Sequence, residues 1–567
     1  MSKESMLTTD LLPAPMREPS VVMDPRRLGA LQPTRLSAAR SIYAKLVREN
    51  WSIDLVEARV EATGAGRMLY RIDAAGHIMH LVAFSYEPQL VDRSPRIIGS
   101  SWDIEGALID GEVTEAELLA TQEAIPRLYA GRATPETLIW FRANRSIRLF
   151  DHVIEALVAG TQPDVQRIRD VGYLLRNTGL DGNGTFGTKD FQEYGAQHPL
   201  GIPFHAQLFT AYMMREISVD LVNATARVRN VEAASVDAAT RNTIAVGNGS
   251  ALGLVLLTMN RPQIVHAWLS AYERIAANVG RRTIDDAHFL AVTTMLDQAI
   301  GQKNDDHTDY GVFPSGEALA IDLRVLRRVL RRLADANRHE GGSFTLTDVT
   351  DRAPSSILPE AIELFRSLLL ELAPESEVDE QLRSLRVSER KQLDPLTTVA
   401  ELRAQIDHGF AWVRELPVVS TEEQTRVWYK SRNSEEPRSG PSWEVPEGTN
   451  DLAVDLLAGV TELEALLRNE SPNTRVGTLA IAHPHLEQVM AYVQCLAALP
   501  YAVPRFDVRD TNFVPAHIIR LFNAFCFGLE KTHDVHQRNL RGLIFEGAHF
   551  RADRDEPARD WRWEVQR

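Results

Sequence analysis

Apolar positions recur at two different periods along this chain. After a helical stretch over residues 36–48, residues 53–109 alternate apolar and polar side chains, the period-2 mark of half-buried strands. The runs Arg67-Met68-Leu69-Tyr70-Arg71-Ile72 and His77-Ile78-Met79-His80-Leu81-Val82-Ala83-Phe84 flank Asp73-Ala74-Ala75-Gly76, which predicts a hairpin connection. Residues 96–108 supply one or two further strands. The expectation is an antiparallel β-meander.

At Thr114-Glu115-Ala116-Glu117 the pattern becomes helical, with acids in the first turn. Helices are then predicted over 147–159, 163–175, 206–228, 251–259, 263–278, 284–300 and 319–337. The chain is acid-rich and less periodic over 373–395, and residues 431–450 collect Pro437, Gly440, Pro441, Pro446 and Gly448, a surface excursion. A mixed pattern returns towards the end, with strands expected at 475–482 and 541–545 and helices at 486–499 and 516–530. The two strands would pair with each other or rejoin the N-terminal sheet. The fold class expected is α+β, mostly helical with an N-terminal antiparallel β-meander. Its parts are a flexible arm (1–35), the meander (36–112), a helical main body (113–372), a loop-rich excursion (373–450) and a mixed helical and strand region (451–567).

Composition changes this picture little. A length of 567 residues exceeds what one hydrophobic core serves, so several structural units are expected. A formal charge of −15 argues against a broad nucleic-acid-binding surface. Cys495 and Cys526 are too few for a disulfide framework, which points to a reducing compartment. The N-terminal arm lacks the apolar run of a signal peptide, and the apolar run at 251–259 is too short for a membrane span. A cytoplasmic protein without nucleic-acid or membrane partners follows, and a two-fold homo-oligomer is the default for such a chain.

Candidate chemistry concentrates in Tyr173 to Lys189, which contains Gly179, Gly182, Gly184 and Gly187 and is read as a loop between helices. Glycines let backbone N–H groups approach an anion, and Arg176 and Lys189 supply cations. The stretch does not end in the Gly-Lys-Ser/Thr of a phosphate-binding P-loop. A second group, Ala245-Val246-Gly247-Asn248-Gly249-Ser250-Ala251-Leu252-Gly253, approaches a dinucleotide fingerprint, but its third glycine falls one place late. The segment before it reads as helical, so no βαβ unit is expected around it. Close helix packing at Gly247, Gly249 and Gly253 is the plain alternative.

Other clusters read more simply. Asn304-Asp305-Asp306-His307-Thr308-Asp309 reads as a solvated turn. Arg324, Arg327, Arg328, Arg331 and Arg332 read as the outer face of an amphipathic helix. Trp428 and Tyr429 read as anchors of a surface loop. His483, His485, His533 and His536 lack zinc-ligand spacing, so no metal site is expected. Cys495 and Cys526 lie in apolar surroundings that favour packing.

The functional expectation is an enzyme whose two glycine-rich stretches meet in space around a small anionic molecule. Arg176 and Asp181 are the catalytic candidates, and Asn177, Thr178, Asn183, Thr185, Lys189, Asn248 and Ser250 the ligand contacts. A non-redox conversion, hydrolysis or elimination, is favoured, with the cofactor unknown. The alternatives are a helical interaction or scaffold protein and a flavin- or nucleotide-dependent enzyme.

Overall fold

In the computed structural model, which describes residues 34–87, 102–124, 136–181, 194–195, 197–248, 262–305, 314–385, 393–409, 428–431, 437–439, 453–498 and 542–554, the alternating segment forms strands as expected. These are β1 (Ser52–Val60), β2 (Gly66–Ala74), β3 (His77–Ser85), β4 (Ile104–Asp110) and β5 (Thr137–Arg145). Each pairs antiparallel with the next. Ala75 and Gly76 both adopt positive φ, the twist required of a two-residue turn between β2 and β3. The sheet then extends through β6 (Tyr173–Asp181) and β7 (Ala245–Asn248), and β11 (Gly542–Ile544) closes the order β1-β2-β3-β4-β5-β6-β7-β11. The whole is an α+β architecture with an antiparallel-rich sheet leading into helices.

Period 2 divides the side chains between two faces. Met68, Tyr70 and Ile72 of β2, Met79, Leu81 and Ala83 of β3, and Ile139 and Phe141 of β5 enter the main core. Val82, Phe84, Ala107 and Trp140 form a smaller cluster under Leu118 of the helix Glu115–Ala124. At Gly106 of β4 any Cβ would stand 2.2 Å from the Val82 carbonyl and 2.4 Å from the Phe141 ring, so only glycine fits between them.

The main core is organised by the helix His205–Arg229, which packs on β1, β5, β6 and β7. Contact with the first strand and with the later strands β5 to β7 means that the sheet curls around this helix. Its polar residues Gln207, Thr210, Arg215 and Glu216 are buried along with the apolar ones, as expected of a helix enclosed on all sides. Further helices share the same core, among them Pro262–Gly280, Asp286–Asp305, Gly316–Glu340 and Pro359–Leu369. On Gly316–Glu340, Leu319, Leu323, Leu326 and Leu330 are buried while Arg327 pairs with Asp297 at 2.6 Å and Arg324 donates to Asn304 at 2.8 Å. The arginine stripe is thus an outer face tied to the neighbouring helix.

A second apolar cluster is built from the helices Val399–Gly409, Leu456–Asn469, Val476–Ala482 and Glu487–Ala498. Strands β8 (Trp428–Ser431), β9 (Pro437–Ser439) and β10 (Ala453–Asp455) form a separate sheet in the order β10-β8-β9. No helix among the described residues is long and apolar enough to cross a membrane.

Several sequence expectations require correction. The helix expected over 163–175 is only Val165–Val171, because Gly172 takes a left-handed φ of 83° and caps it. The glycine-rich stretch that begins at Tyr173 is therefore a strand, not a loop, as far as Asp181. The strand expected over 475–482 is the helix Val476–Ala482, a short apolar run whose type is set by what it packs against. Part of the acid-rich span after Ala373 is helical, Glu375–Ser384. Trp428 and Tyr429 have backbones in β8, while their side chains, on which the expected anchoring rests, lie outside the described set. Strand β11 pairs antiparallel with β7, so the C-terminal strand does rejoin the N-terminal sheet. The expected helices at 251–259 and 516–530, together with Cys526, His533 and His536, lie outside the described residues.

Candidate functional site

The described parts of the two glycine-rich stretches, Tyr173–Asp181 and Ala245–Asn248, lie side by side. Strands β6 and β7 are adjacent and parallel, and their register places Arg176 opposite Gly247 and Asn177 opposite Asn248. The helix His205–Arg229 lies in the connection between them and packs on both, so a β–helix–β unit surrounds Gly247 after all. The apolar run before Gly247 was too short to reveal its strand. This is the one parallel pair in a sheet that is otherwise antiparallel among the described residues. The glycine-rich stretches leave from its two carboxyl ends, Asp181 and Asn248. Carboxyl ends of neighbouring parallel strands are where ligands gather in open sheets of α/β proteins.

Arg176 is half-buried, and its guanidinium makes no hydrogen bond or ion pair with any described residue. Asn177, Thr178, Asp181 and Asn248 have described backbones in β6 and β7, and their side chains lie outside the described set. Asn183, Thr185, Lys189 and Ser250 lie outside the described residues altogether.

Gly247 also has a packing role. A Cβ there would stand 2.6 Å from the Tyr173 ring. Gly247→Ala is therefore expected to overpack the β6–β7 step and destabilise the fold by about 1–3 kcal/mol, read as a lower urea midpoint. An unchanged midpoint would show that the Tyr173 ring moves aside freely.

Sequence reading missed a second constellation. His77, Asp110 and His198 bring their donor atoms within 4.8 Å of one another. His77 starts β3 just after the hairpin turn, on the same face as Met79 and Leu81, and Asp110 ends β4. Register pairs Asp110 with Met79, which makes His77 its diagonal neighbour on one face, within reach of long side chains. The His77 Nε2–H donates to Asp110 Oδ1 at 2.6 Å. His198 arrives from the segment before the central helix, and its Nε2 stands 3.6 Å from the same oxygen.

Backbone bonds hold Asp110, its neighbour Gly111 and His198 in place. Asp110 N–H donates to the Glu136 carbonyl at 2.8 Å, Gly111 N–H to Ile78 at 2.9 Å, and His198 N–H to Gly195 at 2.8 Å. The Leu200 N–H donates to His198 Nδ1 at 3.0 Å, and the Tyr194 ring lies 4.8 Å from the imidazole. Tyr194 itself is tied by its hydroxyl to the Leu138 carbonyl of β5. Burial works to raise the Asp110 carboxyl, but the His198 and His77 imidazoles outweigh it and hold it at about 2. Asp110 is thus held as a carboxylate near neutral pH.

The parity of His77 with Met79 and Leu81 was legible in the alternating pattern. The register of β3 on β4 and the arrival of His198 were not, because both depend on contacts distant in sequence. No protein-family model, no curated protein and no solved structure matches this chain.

Proposed function

We propose that the chain is a cytoplasmic enzyme that binds a small anionic molecule at the parallel β6–β7 step and carries out a non-redox conversion on it, hydrolysis or elimination. One observation carries the reading: Arg176 is a half-buried guanidinium without a partner among the described residues, set opposite Gly247 where two glycine-rich stretches leave adjacent strands. A partly dehydrated arginine gains from a carboxylate or phosphate that accepts its forked donors. In this proposal Arg176 is the counter-charge, Asp181 the acid or base, and Asn177, Thr178, Asn183, Thr185, Lys189, Asn248 and Ser250 the surrounding polar contacts.

The β–helix–β connection supports a second reading in which the anion is the phosphate of a nucleotide. Thermal unfolding of the full chain with inorganic phosphate, citrate and AMP as separate probes tests both. A probe at about a hundred times its Kd stabilises the folded state by about 2.7 kcal/mol. Arg176→Gln is expected to abolish that gain without moving the melting temperature of the ligand-free protein. A gain that survives the substitution sinks the Arg176 site. A gain from AMP alone selects the nucleotide version, and absence of any gain favours an interaction protein.

A further inference from the structure

We propose that His77, Asp110 and His198 form a three-ligand site for a divalent transition-metal ion of the zinc class. The site is separate in its residues from the Arg176 proposal and stands or falls without it.

The donor set comes first. Two imidazoles and one carboxylate suit zinc and its first-row neighbours, whereas calcium and magnesium prefer oxygen ligands throughout. Three protein ligands leave a coordination position for water or a substrate atom, the pattern of reactive rather than structural zinc. Donors about 2.0–2.2 Å from a tetrahedral ion stand about 3.3–3.5 Å apart. The His198 Nε2 to Asp110 Oδ1 separation of 3.6 Å already has that size. The His77 to Asp110 contact of 2.6 Å must open by less than about 1 Å, and the neutral His77 ring must carry its proton on Nδ1 instead of Nε2 to ligate through that nitrogen. His77 is 37% exposed at the start of β3 and has room to do so.

The second observation is His198 Nε2. It is buried, makes no hydrogen bond, and belongs to a side chain only 7% exposed that faces Asp110. Buried polar atoms are nearly always satisfied, and one aimed at a carboxylate and a second imidazole marks a place for a ligand.

The local hydrogen bonding predicts how capture proceeds. Because Leu200 N–H donates to Nδ1, the neutral His198 ring carries its proton on Nε2. Coordination through Nε2 needs the other tautomer, with the proton on Nδ1, and Nδ1–H no longer accepts from Leu200. Metal binding is therefore coupled to release of the Leu200 amide. That release separates true coordination by His198 from adsorption of an ion elsewhere.

The test uses the full chain, stripped with a chelator and titrated with Co2+ and then Zn2+. Expected are one tight equivalent, visible absorption bands of low-symmetry Co2+ that Zn2+ displaces, and faster hydrogen exchange at Leu200 in the loaded protein. Asp110→Asn and His198→Gln should each weaken binding by more than the roughly 10- to 100-fold that outer-sphere partners cost. His485→Gln, which removes a surface pair with Glu462, should leave binding unchanged. If His198→Gln fails to fold by circular dichroism, His77→Gln at the half-exposed position decides. No saturable Co2+ binding by the folded chain, or binding that survives the folded cluster variants, overturns the proposal.

Discussion

Replacing Arg551 by methionine is expected to lower the unfolding free energy by about 3–5 kcal/mol near neutral pH, the usual loss when one partner of a buried charge group is removed. The Arg551 guanidinium donates to Asp220 at 2.7 Å and to Glu216 at 3.3 Å, and the Arg551 N–H donates to Glu216 at 2.7 Å. Tyr70 of β2 donates its hydroxyl to Asp220 at 2.8 Å, so the cation holds together the sheet, the central helix and the C-terminal segment. Methionine keeps the bulk and the backbone bond but leaves the Glu216 carboxylate facing a dry interior without its cation, and the partly exposed Asp220 with the Tyr70 hydroxyl. Glu216 is 3% exposed, so water cannot replace the lost donors there.

The pH dependence of this loss has a definite sign. Burial raises the Glu216 carboxyl above its ordinary value, with Arg551 opposing the rise. Removing Arg551 raises it further. A group whose folded pKa lies above its unfolded one contributes fully below the unfolded value and loses that contribution as pH rises through the folded value. The penalty of Arg551→Met should therefore be smaller at about pH 5 than at about pH 7.5, because protonated Glu216 is cheaper to bury. Urea unfolding at the two pH values measures it. Equal penalties would show that Glu216 keeps its charge without Arg551.

The second large effect is expected at Arg145, at the end of β5. Its guanidinium donates to the carbonyls of Thr63, Gly64 and Tyr86 at 3.0, 2.8 and 3.1 Å and to Ser85 Oγ at 2.7 Å. It also covers the Phe150 ring at 4.7 Å. One side chain thus satisfies the β1–β2 turn and the end of β3 together. Each buried acceptor left dry costs about 1–3 kcal/mol, and the exposed Thr63 carbonyl can turn to water, so Arg145→Met is expected to cost about 3 kcal/mol. Arg145→Lys should restore little, because an ammonium cannot span the acceptors that a planar fork reaches. Hydrogen exchange across residues 61–65 should accelerate in both variants. Protection there equal to wild type would mean that the turn stands without Arg145.

Much of the fold was legible in the periodicity of the chain. Alternation over β1 to β4 and the positive-φ turn at Ala75-Gly76 are local properties, and local rules predict them. The helix at Val476–Ala482 was misread because a short apolar run satisfies either period and its partners decide, and the strand at Tyr173–Asp181 because its glycine and small polar residues carry the composition of a loop. The candidate anion site was half legible. Glycine and cation content marked both stretches, while their adjacency needed the parallel pairing of β6 with β7.

By itself, then, the sequence determined the α+β class, the hairpin order of the first strands and the chemical character of the two glycine-rich stretches, since these follow from neighbouring residues. Tertiary structure alone decided that Arg176 faces Gly247, that His77, Asp110 and His198 converge, and that Arg551 returns to Glu216 across most of the chain. Each of those contacts joins segments far apart in sequence. Their free energy comes from burial and strand register that no local pattern encodes.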